Sequence, residues 1–83
     1  MITILSIQPM DNFKLMCTFS DGSIKIADAI PYLKGEAFKP LLKPGMFSKI
    51  KNRKFYVEWP EYELDLSADT LWHIGVEANP VNS

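Results

Sequence analysis

The sequence predicts an α+β fold: a small antiparallel sheet of five or six short strands, with short helical segments and a short C-terminal helix. Three observations support this class. Over residues 13–20 the apolar side chains recur at every second position, a period of two that is typical of a strand with one buried face: Phe13, Leu15, Cys17 and Phe19 alternate with Lys14, Met16, Thr18 and Ser20. Asp21-Gly22 follows directly, and this dipeptide favours a tight hairpin loop. Pro40 and Pro44 exclude a long helix in the middle of the chain.

The first half of the chain holds the clearest predicted hairpin. A first strand covers residues 2–7, which are rich in β-branched side chains, and ends at Pro9. A two-residue loop at Asp21-Gly22 then joins the second strand to the third, since both loop positions need a positive φ. This loop sets Phe19 opposite Ile24, so the apolar side chains of both strands share one face.

Two further hairpins are predicted in the second half of the chain. Residues 48–51 and 54–59 form the first of them. A turn over residues 59–62 forms the second, because it places apolar side chains of the two flanking strands on the same face. The same register sets Glu58 opposite Glu63, and such a like-charged pair is locally unfavourable.

A short helix and a tail are predicted at the C-terminus. Ser67 is a good N-cap, Asp69 lies near the positive end of the helix dipole, and Gly75 is a plausible stop. A chain of 83 residues holds one hydrophobic core. We therefore expect a single α+β domain over residues 1–76 and a flexible C-terminal tail over residues 77–83.

The composition argues against several classes of protein. The net charge is −1, so there is no overall attraction to nucleic acid or to anionic membranes. The N-terminus lacks the pattern of a signal peptide, and no apolar run approaches the roughly 20 residues of a membrane span. The single cysteine, Cys17, cannot form an internal disulfide. We expect a cytoplasmic protein without membrane contact.

Residues that carry catalysis or bind metals are scarce. The chain has one cysteine, Cys17, on the apolar face of the second predicted strand, and one histidine, His73, on the C-terminal helix. A nucleophile needs a positioned base, and one cysteine with one histidine cannot supply a zinc site. The four glycines form no phosphate-binding loop. We therefore expect no enzymatic activity, no cofactor and no metal.

The charged residues are segregated along the chain. From residue 58 onward there are acidic side chains and no lysine or arginine. An acidic hairpin with tyrosines is typical of a surface that receives a basic protein. The candidate partner-binding residues are Tyr56, Glu58, Trp59, Glu61, Tyr62, Glu63 and Asp65. Two alternatives compete with this hypothesis: basic residues of the neighbouring strand neutralise the carboxylates within the fold, and Trp59 packs in the core.

The segment before the acidic hairpin is basic. Between residues 39 and 54 there are lysines and an arginine but no acidic residue. The candidate nucleic-acid contacts are Lys49, Lys51, Arg53 and Lys54. The alternative is a lysine-rich loop that keeps the protein soluble, since the segment has no RNA-binding motif and no helix suited to a DNA groove.

Several short motifs together resemble a known family. They are Phe19-Ser20-Asp21-Gly22, Asp28, Phe38-Lys39-Pro40-Leu41, Phe47, Trp59-Pro60 and Asp65-Leu66-Ser67-Ala68-Asp69-Thr70-Leu71. With these motifs the chain resembles the bacterial family called domain of unknown function 2442, over residues 4–74. The last motif, with Trp-Pro before it, is the most specific part.

The resemblance implies a small α+β domain without assigned catalytic residues. The resemblance also implies a genomic arrangement: genes of this family often lie beside a gene for a second short protein, as in a toxin–antitoxin pair. Some longer members carry a C-terminal helix-turn-helix and look like regulators, and we expect no such extension here.

Our leading hypothesis is therefore a non-enzymatic protein-interaction module, one partner of a toxin–antitoxin-like pair. Its partner would be another small protein encoded by a neighbouring gene. A nucleic-acid-associated regulatory protein is the alternative, and homo-oligomerisation stays open.

Overall fold

A computed structural model of the protein describes residues 1–78 and confirms the α+β class, with antiparallel strands and a short C-terminal helix. Within these residues the strands form two sheets rather than one. The four-stranded sheet has the order β1 (Ile4–Met10), β2 (Lys14–Phe19), β3 (Ile24–Asp28), β7 (Val76–Glu77). The three-stranded sheet has the order β4 (Lys51–Asn52), β5 (Tyr56–Trp59), β6 (Leu64–Ser67). The helices are α1 (Ile30–Leu33) and α2 (Ala68–Ile74), and 3-10 segments cover Asp11–Phe13, Glu36–Leu42 and Pro60–Tyr62.

One hydrophobic core joins both sheets and both helices. The inward side chains of β2 are completely buried, as the alternating pattern predicts. The largest fully buried side chains are Trp59, Phe19, Ile4, Leu15, Leu41, Leu71, Val57 and Cys17. Because α2 and the segment 30–47 bury apolar residues in the same cluster, they cover the inner side of the four-stranded sheet.

The strand β1 links the two sheets. Its Ile4 N–H donates to the Lys54 carbonyl at 2.7 Å, and the Asn52 side-chain amide donates to the Ile4 carbonyl at 3.0 Å. The strand continues through Pro9 to Met10, so the prediction that it ends at Pro9 is wrong. Proline is tolerated there because β1 is an outer strand of its sheet, where a missing N–H disrupts no ladder.

The loop between β2 and β3 has three residues rather than the two predicted. The Phe19 N–H donates to the Ser23 carbonyl at 2.9 Å, which leaves Ser20, Asp21 and Gly22 in the loop. Gly22 has a φ of +90°, the conformation that closes a three-residue hairpin loop with a bulge. The Asp21 carboxylate fixes this loop, since it accepts hydrogen bonds from the Ser23 N–H at 2.9 Å and hydroxyl at 2.6 Å.

This extra loop residue shifts the register by one position. Ile24 pairs with Thr18 instead of Phe19, and Ile26 pairs with Met16. A shift of one residue turns every side chain of a strand to the opposite face. The isoleucines of β3 therefore point away from the core, contrary to the prediction, while Ala27 of the same strand is buried.

The β5–β6 pairing is shifted by two positions from the predicted register. A shift by an even number leaves each side chain on its predicted face, so Val57, Leu64 and Leu66 still point into the core. The 3-10 turn before Glu63, which has a φ of +55°, takes up the extra residues. Glu58 therefore pairs with Asp65 rather than with Glu63. The β4–β5 loop consists of Lys54 and Phe55 rather than residues 52–53, because the Arg53 N–H donates to the Tyr56 carbonyl at 2.8 Å.

The helix α2 begins and ends at the predicted residues. The Ser67 hydroxyl accepts from the Thr70 N–H at 3.1 Å, which confirms the N-cap. After Gly75 the chain returns to the sheet, and Glu77 pairs with Lys25. The first two residues of the predicted tail are therefore attached to the sheet, since Glu77 is part of β7 and the Ala78 N–H donates to the Ile24 carbonyl at 2.9 Å. Residues 79–83 of the predicted tail lie outside the described residues.

Gly75 has no room for a side chain. A Cβ atom there would lie 2.7 Å from Lys25 Cβ and 2.9 Å from the Leu71 carbonyl oxygen. We expect Gly75→Ala to lower the free energy of unfolding by about 1–3 kcal/mol, because β3 and α2 must separate to accept it. Urea unfolding measures this. Gly35→Ala is the control, since its Cβ would meet nothing closer than 3.6 Å. Equal effects of the two substitutions would contradict the close approach at Gly75.

Candidate interaction surfaces

The outer side of the four-stranded sheet exposes apolar side chains. The register aligns Met16, Ile26 and Val76 in one row across β2, β3 and β7, with Ile24 beside them. Val76 is 71% exposed and Ile24 is 38% exposed. We call this surface the open face and define it by Met16, Ile24, Ile26 and Val76 with the charged Lys14 and Asp28. Met16 and Ile26, the other two apolar side chains, are half-buried. Exposed apolar side chains that lie side by side on a small protein are typical of a site of interaction.

At one end of the open face, a pair of charged side chains lies beside a cavity. Lys14 Nζ lies 3.8 Å from Asp28 Oδ2, and both side chains remain about half exposed. A cavity of about 420 Å³ lies between this pair and the apolar row, lined by Lys14, Ile26, Asp28, Val76 and Glu77. The open face therefore offers apolar contact area, with one cation, Lys14, and two anions, Asp28 and Glu77, at its margin.

The outer side of the three-stranded sheet is polar instead. Glu58 lies across from Lys51 on one side and Asp65 on the other. The Arg53 guanidinium donates to the Glu58 carboxylate, and Lys49 Nζ lies 3.7 Å from Glu61 Oε1. Since β4 lies beside β5, cations from the basic segment approach two of the hairpin's carboxylates. This is the alternative in which the segregated charges neutralise one another within the fold.

The candidate partner-binding residues of the hairpin are distributed between core and surface. Trp59 is 1% exposed, and its indole N–H donates to the Phe47 carbonyl at 2.8 Å. It is therefore unavailable to a partner. Tyr56 is 39% exposed, Tyr62 is half-buried, and Glu63 and Asp65 are exposed. Among residues 1–78, neither of these two carboxylates has a salt-bridge partner.

The candidate nucleic-acid contacts do not form a separate basic surface. Lys49 and Arg53 approach carboxylates, and Lys51 lies across from Glu58. Lys54 occupies the β4–β5 loop, where its φ is +76°. Phosphate binding at this sheet would have to compete with the protein's own carboxylates.

A cluster that the sequence did not predict ties the β2–β3 loop to α2. The Trp72 indole N–H donates to Asp21 Oδ2 at 3.0 Å. Lys25 Nζ lies 3.5 Å from the Trp72 ring centroid and donates to the Trp72 carbonyl at 3.0 Å. The hydrogen bonds from Ser23 to the Asp21 carboxylate, and then the one from Trp72, hold the pKa of that carboxyl below its ordinary value. This cluster fixes β3, and with it the open face, against α2.

We expect Asp21→Asn to lower Tm at neutral pH, because it removes the charged acceptor of this cluster. The folded pKa of Asp21 is lowered, so its stabilising effect is present above the ordinary pKa and is lost as the pH falls through the folded value. The difference in Tm from wild type should therefore shrink below the ordinary pKa of 3.8. Thermal unfolding from about pH 7 to about pH 2 measures this. A difference that is equal at both ends of the range would contradict the charged role of Asp21.

The thiol of Cys17 is enclosed in the core. Its Sγ donates to the Leu15 carbonyl at 3.8 Å, and burial raises the pKa of the thiol to about 12. His73 is exposed on α2, where its Nε2 lies 3.6 Å from Asp69 Oδ1. Among residues 1–78, no three His, Cys, Asp or Glu side chains converge in a way that could hold a metal ion. Nor does any helix in this part of the chain have the length and apolarity to span a membrane.

Comparison with known proteins finds one family. The family model described as "Protein of unknown function (DUF2442)" matches residues 4–77. Neither a curated protein nor a solved structure shows significant similarity to the chain. The match covers both sheets, the Asp21–Trp72 cluster and all residues of the open face.

Proposed function

Because the chain belongs to the DUF2442 family, whose description names no activity, we propose a function from its surfaces: it is a non-enzymatic module that binds another protein through the open face. The single observation that carries this proposal is the register of β2 and β3. It turns Ile24 and Ile26 outward on a sheet whose other side already holds the core. Exposing these side chains costs stability, and burial against a partner would offset that cost.

The charges of the open face indicate the chemistry of its partner. Lys14 and Asp28 are half exposed and lie 3.8 Å apart, so each can accept a second ion pair. A partner with an apolar centre, an acidic group opposite Lys14 and a basic group opposite Asp28 would match this surface. Such complementarity sets orientation and association rate more than affinity.

The family resemblance supports a partner encoded nearby. We propose that this partner is a second small protein, in a toxin–antitoxin-like pair, and that the complex forms in the cytoplasm. A lone buried thiol such as Cys17 is compatible with that compartment. Nucleic-acid binding is the less favoured function, because the candidate basic residues lie among carboxylates.

Co-expression with the neighbouring gene tests this proposal. The tagged protein is purified together with the neighbouring product, and the eluted species is sized. We expect a stoichiometric complex of two different chains that survives purification at micromolar concentration. A monomer or a homodimer with nothing bound would contradict the proposal. Retention of nucleic acid that disappears with rising salt would favour the regulatory alternative instead.

A further inference from the structure

We propose that the free edge of the three-stranded sheet is a second binding surface, which takes an extended basic segment of another protein as an added strand. The strand β6 (Leu64–Ser67) is the outer strand of this sheet. The strand β4 lies at the opposite edge of this sheet, and β1 contacts the sheet there through hydrogen bonds with Asn52 and Lys54. The inference is independent of the proposed function, because it concerns a different sheet.

The backbone groups of this edge alternate in direction. The Ala68 N–H donates to the Phe55 carbonyl at 2.8 Å, so Ala68 bonds inward to the β5 side. In an antiparallel pair, inward and outward residues alternate, so Asp65 and Ser67 direct their N–H groups to the free edge. Both residues are exposed to solvent. An added strand would satisfy these donors and the Asp65 carbonyl with main-chain hydrogen bonds.

Charge identifies the segment that fits. Glu63 precedes β6, Asp65 lies within it and Asp69 follows it, and no lysine or arginine occurs from residue 58 onward. Cations of the basic segment approach Glu58 and Glu61 instead. Carboxylates along the edge favour an incoming strand that carries lysine or arginine at alternate positions.

A second copy of this chain does not fit the same edge. Two copies that paired through β6 would bring acidic residues of both chains together around Asp65 and Glu63. Like charges that face each other across strands are destabilising. This repulsion also protects the free edge from uncontrolled self-pairing, a common role of charged residues on outer strands.

An apolar cavity at the end of the edge offers a place for a side chain. It has a volume of about 300 Å³ and is lined by Met1, Ile2, Phe55, Ser67, Ala68 and Asp69. Ser67 belongs to both features, since its N–H points to the free edge and it lines the cavity. A segment with an apolar residue beside its basic ones would therefore gain both main-chain hydrogen bonds and apolar contact.

Synthetic peptides test this edge directly. The probe alternates lysine and valine over roughly eight residues, an ordinary strand length. Its charge-reversed counterpart alternates glutamate and valine. A third peptide has the lysine–valine sequence with N-methyl groups that block the hydrogen-bonding groups along one edge of the peptide. We expect the lysine peptide to bind and to slow hydrogen exchange of the Asp65 and Ser67 amides. Both other peptides should bind about tenfold more weakly or not at all.

Matched variants distinguish the effect of the β6 edge on peptide binding from the effect of the protein's net charge. Asp65→Lys should lower the affinity for the lysine peptide about fivefold to tenfold. Glu36→Lys makes the same change in net charge on the segment 36–42 and should leave this affinity unchanged. Ile24→Lys on the open face should also leave it unchanged, so failure of the open-face proposal would not affect this result. Absence of binding, equal binding of the glutamate or N-methylated peptide, or equal loss in Asp65→Lys and Glu36→Lys would overturn the inference.

Discussion

Replacement of Trp59 by alanine is expected to lower the free energy of unfolding by about 3–5 kcal/mol. The side chain is 1% exposed, and its ring lies against Phe47 and Phe38 at centroid distances of 5.7 Å and 6.3 Å. A chain of this length has about 4–12 kcal/mol of stability in total. The substitution is therefore expected to remove a large share of the protein's total stability.

A milder substitution separates the two contributions of Trp59. Trp59→Phe keeps an aromatic ring but removes the indole N–H that donates to the Phe47 carbonyl. We expect a loss of about 1–3 kcal/mol, because a buried acceptor is left without its donor. Urea unfolding of both variants measures these values, with the exposed Tyr56→Ala as the control. A Trp59→Ala variant as stable as wild type would contradict the core position of this residue.

Charge on the open face is expected to abolish partner binding while the fold persists. Ile24→Lys with Val76→Lys places two cations on a surface that we propose becomes dry in the complex. If both side chains are central contacts, each contributes about 2 kcal/mol, so affinity should fall by about a thousandfold. Unfolding should change little, because these side chains are already 38% and 71% exposed.

The matched control for this double substitution is Ile30→Lys with Leu42→Lys. These apolar side chains are 39% and 49% exposed and lie outside the open face, and their substitution makes the same change in net charge. Co-purification and titration calorimetry with the partner measure the affinity of each variant. Equal losses in the two double variants would indicate a non-specific effect of charge and would contradict a site on the open face.

The sequence predicted those features that depend on neighbouring residues. The alternation in β2 identified Leu15, Cys17 and Phe19 as buried, and Ser67 was identified as an N-cap, because both patterns are complete within a few residues. The β2–β3 register was wrong because Asp-Gly suits both a two-residue loop and a three-residue loop that ends in glycine. The choice between them decides whether the isoleucines of β3 are core or surface.

The candidate sites depended on contacts that no local pattern contains. Asp21 and Trp72 meet across 51 residues, so their cluster was not predicted. The charges of the hairpin and of the basic segment are separate along the chain, yet Arg53 bonds to Glu58 because β4 and β5 are neighbours. The sequence shows where the charged residues lie along the chain, but only the pairing of strands determines which of them form ion pairs.

Methyl NMR of the complex is the most direct measurement of whether the open face binds the partner. The protein is labelled at its isoleucine, valine and methionine methyl groups, and the co-purified unlabelled partner is added. We expect the largest shifts at Met16, Ile24, Ile26 and Val76, with Val57 in the core of the three-stranded sheet unaffected. A complex that leaves those four signals unchanged would show that its binding surface lies elsewhere and would contradict the proposed function of the open face.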